Sequence, residues 1–170
     1  MQIHKFHEKV NHEQLISYID DYFKDNKCCG NYPFCFHPKH QTDSQLFSLS
    51  HPFIQNLRGA VEQITNKKCI DMICWAYFHN EITQHEFHIH DGFSQDEGFS
   101  GEKSFLMYLS DLQENEGTLF IKGDDGTFSL NPKKNTWYIF DGDVTHSPEM
   151  FKTKSHRYVI AGQFGLMNNV

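Results

Sequence analysis

Between His12 and Lys24, apolar side chains recur at Leu15, Ile16, Ile19, Tyr22 and Phe23, the spacing of a helix with one buried face. Asn11 stands where a cap belongs, because its side-chain oxygen can accept a backbone N–H that the first helical turn leaves without a partner. The same spacing returns at Phe53, Ile54, Leu57, Val61 and Ile64 and predicts a second helix over Pro52 to Asn66. Between the two, Cys28 to Thr42 is rich in Gly, Pro, His and Cys and reads as an irregular connection.

After Lys68 the texture changes to short aromatic and β-branched runs separated by turn clusters, the pattern of a β-sandwich or barrel. Strands are expected over Ile70 to Asn80, Glu86 to Gly92, Lys103 to Ser110, Thr118 to Lys122, Thr127 to Leu130, Thr136 to Phe140, His146 to Met150 and Tyr158 to Phe164. Asp125-Gly126 signals a tight hairpin, Asn131-Pro132 breaks the next run, and the polar stretch from Gln95 to Gly101 predicts a mobile loop. No repeat, low-complexity tract or linker divides the 170 residues, a length that suits one domain with a substantial core. The expected architecture is a helical support region over residues 1–68 packed on one side of a β-sandwich core over 69–165.

Composition narrows the function classes. A formal net charge of -7 without any long Lys/Arg run argues against a nucleic-acid surface, whose affinity comes mainly from neutralising phosphates. A small substrate, neutral or cationic, suits that balance better, and a short N-terminal region that leaves little room for a large protein-docking domain favours a small molecule or an exposed peptide residue. No apolar run approaches the roughly 18 residues of a membrane span, and Met1-Gln2-Ile3-His4-Lys5 opens no signal-peptide pattern, so the cytoplasm is the expected compartment. There the five cysteines are expected as thiols, with Cys69 and Cys74 as small core residues. Cys28, Cys29 and Cys35, with His37 and His40 nearby, lack a Cys-x-x-Cys pair, and adjacent cysteines chelate one ion poorly, so a loop with exposed thiols is preferred to a zinc site.

The chemistry concentrates in His88-Ile89-His90-Asp91-Gly92, followed by Gly142-Asp143-Val144-Thr145-His146 and then Arg157. Two imidazoles one residue apart share a strand face, and a third can close a metal site from a distant strand. Twelve histidines in one chain produce close pairs by accident, so the pair alone is weak. It gains weight from Lys103-Ser-Phe-Leu-Met-Tyr-Leu-Ser-Asp111, Glu116-Gly117-Thr118-Leu119-Phe120, Trp137 to His146, and His156 to Phe164, in that order and at compatible spacings.

That series resembles the Fe(II)/2-oxoglutarate-dependent oxygenases, in particular their prolyl-hydroxylase-like branch, over roughly residues 70 to 165. The resemblance implies a double-stranded β-helix (a jelly roll) and a non-haem iron enzyme that uses 2-oxoglutarate and O2 to hydroxylate its substrate. It implies that His146 is the distal metal ligand and that Arg157, eleven residues on, binds the far carboxylate of 2-oxoglutarate. Tyr108, in Met-Tyr-Leu-Ser, matches the phenol that commonly reaches the same carboxylate. The residue types suit this chemistry, since two imidazoles and a carboxylate hold ferrous iron on one face, and a guanidinium offers a carboxylate a planar, permanently charged fork.

The chain departs from the family where a carboxylate should stand two residues after the first histidine. If His88 is first, His90 takes that place and the ligands are His88, His90 and His146, the preferred set. If His90 is first, as Phe87 suggests by its likeness to a family tyrosine, the place falls to Gly92, an arrangement that resembles the halogenating members of the superfamily. Asp91 faces away from both histidines unless a bulge turns it.

Two other classes compete. A cupin-like three-histidine protein without 2-oxoglutarate would draw on Glu97, but its spacing is too long and Arg157 has no role there. A non-catalytic jelly-roll module would not need Tyr108, His146 and Arg157 together. Of the remaining histidines, His4, His7, His12, His37, His40 and His51 read as solvated or helix-flanking, and His79 and His85 flank the strand leading to the site. Asp141 and Asp143 read as turn residues, with Asp143 a candidate acceptor for orienting His146. No pattern in the chain bears on oligomeric state.

Overall fold

Two facing sheets organise the computed structural model, which describes residues 2–5, 11–25, 51–79, 102–111, 117–148 and 157–168. The described elements run β1 (Gln2–Lys5), α1 (His12–Asp25), α2 (Pro52–Thr65), β2 (Lys67–His79), β3 (Glu102–Tyr108), β4 (Leu119–Gly123), β5 (Gly126–Leu130), β6 (Thr136–Asp141), β7 (His146–Pro148) and β8 (Arg157–Asn168). Five strands pair in the order β1-β6-β3-β8-β2 and three in the order β5-β4-β7, with every pairing antiparallel. The expected strand Glu86 to Gly92, the connection Cys28 to Thr42 and the stretch Gln95 to Gly101 lie outside the described residues.

Strand alternation splits the larger sheet into two chemically distinct faces. One face carries Cys74, Ala76, Phe105, Met107, Trp137, Ile139, Ile160 and Phe164, and packs against Leu15 and Ile19 of α1 and Phe53, Ile54, Leu57 and Val61 of α2. The other carries Trp75, Leu106, Tyr108, Tyr138, Phe140, Val159 and Ala161, and packs against Leu119 and Ile121 of the smaller sheet. The helices therefore cover one side of a β-sandwich, as their apolar spacing predicts. Each fully buried large apolar side chain contributes about 2 kcal/mol. Cys69 and Cys74 are buried free thiols, and burial raises the Cys74 thiol well above its ordinary pKa.

Local chemistry sets the boundaries. Asn11 caps α1, its Oδ1 accepting the Gln14 N–H at 3.0 Å. His51 caps α2 through Nδ1, which accepts the Phe53 N–H at 3.2 Å, and Pro52 follows where its missing N–H costs nothing. Asn66, left-handed at φ 53°, ends α2 and turns the chain directly into β2. For that reason β2 begins at Lys67 rather than Ile70, and it continues past a bulge between Ile70 and Ile73.

Two further details differ from expectation. The N-terminal region is not purely helical: Gln2–Lys5 forms β1 on the edge of the larger sheet, Ile3 opposite Tyr138, and four residues are too few for a period-two pattern to register. The tight hairpin signalled by Asp125-Gly126 is present, but its two turn residues are Asp124 and Asp125, and Gly126, at φ 130°, closes the strands opposite Gly123 in a conformation that favours glycine.

Gly162 brings β8 close to its neighbours. A Cβ there would lie 2.3 Å from the Phe105 ring and 2.4 Å from the Ile73 carbonyl oxygen, and the latter is backbone that cannot swing aside. Gly162→Ala is expected to destabilise the protein by about 3 kcal/mol through overpacking, read as a lower urea midpoint.

Candidate active site

Arg157 opens β8 on the face that looks into the sandwich. Val159 and Ala161 belong to the inner cluster, so alternation turns Arg157 the same way, and it is 1% exposed. Tyr108 lies opposite Val159 on β3, faces inward and is also 1% exposed. The two groups sense each other. Burial pushes the Tyr108 phenol up to about 12, the Arg157 charge partly offsets the rise, and Tyr138 adds to it. Burial lowers the Arg157 pKa while Tyr108 acts to raise it, and a guanidinium remains a cation at any working pH. Tyr138 meets the Tyr108 ring edge-on at 6.0 Å and is itself tied down where its hydroxyl accepts the Lys133 N–H at 2.9 Å.

His146 approaches from the other sheet. Its strand partner is Ile121, an inner-cluster residue, so the imidazole shares that inward face and is 2% exposed. Its ring packs against Phe140 at 4.8 Å and an interplanar angle of 64°. His146 Nδ1 lies 3.0 Å from the Val144 carbonyl oxygen. A carbonyl only accepts, so the proton sits on Nδ1 and the lone pair belongs to Nε2, the arrangement in which an imidazole binds a metal ion. The segment that supplies this carbonyl is pinned at both ends, by the Val144 N–H on the Asp141 carbonyl at 3.0 Å and the Lys122 N–H on the Thr145 carbonyl at 2.8 Å. Asp143, the expected orienting acceptor, is exposed, and the Val144 main chain has the role instead.

Arg157, Tyr108 and His146 thus all face the space between the sheets. His88, His90, Asp91 and Gly92 lie outside the described residues, as does Glu97. Among the described residues no three His, Cys, Asp or Glu side chains converge on a metal position, and His146 is the candidate ligand that is placed. The donor chemistry at His146 fits a metal ion. The buried cation beside a neutral phenol fits a carboxylate, which can accept from both.

Two interior polar groups have no motif to mark them in the sequence. Ser104 and Gln163 face each other across β3 and β8, and Phe140 lies opposite Ser104 on its other side. Both are buried, and the Ser104 hydroxyl has no hydrogen-bond partner among the described residues. Counting back in twos from Tyr108 and forward in twos from Arg157 reaches both, which is the signal that would have found them.

No protein-family model and no curated protein sequence matches the chain. Solved structures do match. A prolyl-4-hydroxylase of Pseudomonas putida aligns over 93% of this chain and 82% of its own at 15% identity, with a TM-score of 0.61. A Trichoplax adhaerens prolyl hydroxylase, solved with a peptide fragment of the hypoxia inducible factor oxygen degradation domain, aligns over 98% and 83% at 12% identity and a TM-score of 0.68. HygX of Streptomyces hygroscopicus, solved with nickel and 2-oxoglutarate, aligns over 96% and 81% at 12% identity and a TM-score of 0.66. At these identities the likeness is one of fold: the chain has the double-stranded β-helix of the 2-oxoglutarate and Fe(II) oxygenases, with its described helices on one face.

The elevated Tyr108 pKa has a consequence at alkaline pH. Below about pH 10 the phenol is protonated in both the folded and the unfolded chain, whereas between about 10 and 12 the unfolded chain loses the proton first, so stability falls as pH rises. Comparing denaturation of wild type and Tyr108→Phe across this range should show wild type losing about 2–3 kcal/mol more by pH 12. Equal losses in the two proteins would remove the burial account of Tyr108.

Proposed function

We propose that the chain is a non-haem iron oxygenase that consumes 2-oxoglutarate and O2 and hydroxylates a C–H bond of a small molecule or an exposed peptide residue. The observation that supports this reading is that a buried guanidinium beside a neutral phenol, and a buried imidazole whose Nδ1 is engaged by a main-chain carbonyl, all face the space between the two sheets. Fold alone would not carry it, since one scaffold hosts many activities.

In this reading His146 holds the iron together with His88 and His90, the preferred set from the sequence. Bound iron with 2-oxoglutarate supplies oxygen activation coupled to oxidative decarboxylation. Arg157 and Tyr108 bind the far carboxylate of 2-oxoglutarate, the guanidinium by charge and the phenol by donating its proton, which burial keeps in place. Phe140 keeps the imidazole plane fixed and helps exclude water from the interior. A cupin-type site would leave the Arg157 and Tyr108 pair without a role. The peptide bound by the Trichoplax adhaerens enzyme keeps an exposed peptide residue among the candidate substrates.

Anaerobic titration with Fe(II) and then 2-oxoglutarate tests the reading through the visible metal-to-ligand charge-transfer band of the chelate. The band is expected in wild type, and protein that binds Fe(II) without developing it would sink the proposal. Arg157→Ala should weaken 2-oxoglutarate binding by about 2–5 kcal/mol, the usual cost of truncating a buried charge-assisted pair. His146→Ala and His90→Ala should abolish iron binding. Iron affinity that survives His88→Ala would replace His88 with a position left open beside Gly92.

A further inference from the structure

Tyr158, next to the carboxylate anchor, points the opposite way, into the cluster formed with Leu15 and Ile19 of α1. Its hydroxyl donates to Asp20 Oδ1 on α1 over 2.7 Å, a contact spanning 138 residues of chain. Regular pairing of β3 with β8 ends at Tyr108 opposite Val159. Beyond it the Leu109 N–H donates to the Tyr158 carbonyl at 3.0 Å, and the Tyr158 N–H donates to Ser110 Oγ at 3.1 Å. On the β3 side a side chain thus stands in for the next ladder bond, while on the other side Tyr158 and Arg157 stay paired with Phe78 and His79 of β2.

We infer that Asp20 is a positioning residue: by holding Tyr158 from the helical side, it fixes the start of β8 so that the Arg157 guanidinium stays beside Tyr108 on the inner side. Successive strand side chains point to opposite faces, so a shift or rotation of residue 158 carries residue 157 with it, and a slip of one residue would turn Arg157 out of the sandwich. The hydrophobic cluster can hold the Tyr158 ring near α1 without choosing its height. The bond from phenol to carboxylate chooses it, because hydrogen bonds are directional and packing is not. The inference rests on the reading of Arg157 as the 2-oxoglutarate anchor.

The experiment uses the full chain loaded with Ni(II), into which 2-oxoglutarate is titrated by calorimetry, with thermal unfolding measured in parallel. Tyr158→Phe keeps the ring and removes only the bond; Asp20→Ala removes the acceptor; Asp20→Asn retains an amide oxygen that can accept. Tyr158→Phe and Asp20→Ala should each raise the 2-oxoglutarate Kd about five- to tenfold, the equivalent of one hydrogen bond, with Ni(II) affinity unchanged. Asp20→Asn should bind within about twofold of wild type. In an Arg157→Ala background, Asp20→Ala should cost no further 2-oxoglutarate affinity, because the group it positions is gone.

Wild-type affinity in Tyr158→Phe and Asp20→Ala, alongside a weakened Arg157→Ala, would overturn the inference and leave the anchor intact. An Asp20→Asn as weak as Asp20→Ala would also overturn it. So would an Asp20→Ala loss of equal size with Arg157 present or absent, which reports general loosening. Ni(II)-loaded wild type that takes up no 2-oxoglutarate would overturn the anchor and the inference together.

Discussion

A permanent positive charge is held out of water inside this sandwich, and much of the architecture serves to keep it there. Arg157 cannot shed its proton to escape the cost of burial, as a lysine can, so its surroundings must accept a cation. The strand alternation of β8 sends it inward, β3 sets Tyr108 beside it, and the outer face of the same strand is packed against the helices. In the proposed reading the far carboxylate of 2-oxoglutarate supplies the matching anion, and Tyr108 adds a neutral donor.

The second requirement is an imidazole presented with the correct nitrogen. The short segment from Asp141 to His146 achieves this with main-chain groups: a turn closed on Asp141, a bond from β4 to Thr145, and the Val144 carbonyl on Nδ1. The two halves of the candidate centre therefore come from different sheets, and they meet at β6, whose Phe140 ring and Asp141 carbonyl support His146 and the segment before it while β6 pairs with β3. Cation and phenol depend on the β3–β8 pairing and its backing by α1; the histidine depends on the β4–β7 pairing and on Phe140 and Asp141 of β6.

Much of this was legible in the sequence, for identifiable reasons. Long elements with a clear period, such as α1, α2 and the β6 and β8 runs, announce themselves through apolar spacing and through caps such as Asn11. Arg157 was legible as an inward residue because the Tyr-Val-Ile-Ala run that follows it has the texture of a buried strand. β1 was not, being four residues long and stabilised by pairing with β6 rather than by its own pattern. A carboxylate such as Asp143 is visible in a sequence as an acceptor for His146, whereas the Val144 carbonyl that takes the bond has no side-chain signature. The bond from Asp20 to Tyr158 joins two positions no local pattern connects, and Ser104 and Gln163 emerge only once the strand register is known.

Product analysis tests most directly whether this interior binds 2-oxoglutarate in order to consume it. Full-length protein supplied with Fe(II), 2-oxoglutarate and O2, with no added substrate, should slowly release succinate and CO2 in equal amounts. The release should require both metal and oxygen and should be lost in Arg157→Ala. Protein that holds Fe(II) and 2-oxoglutarate together under O2 yet forms no succinate would contradict the account.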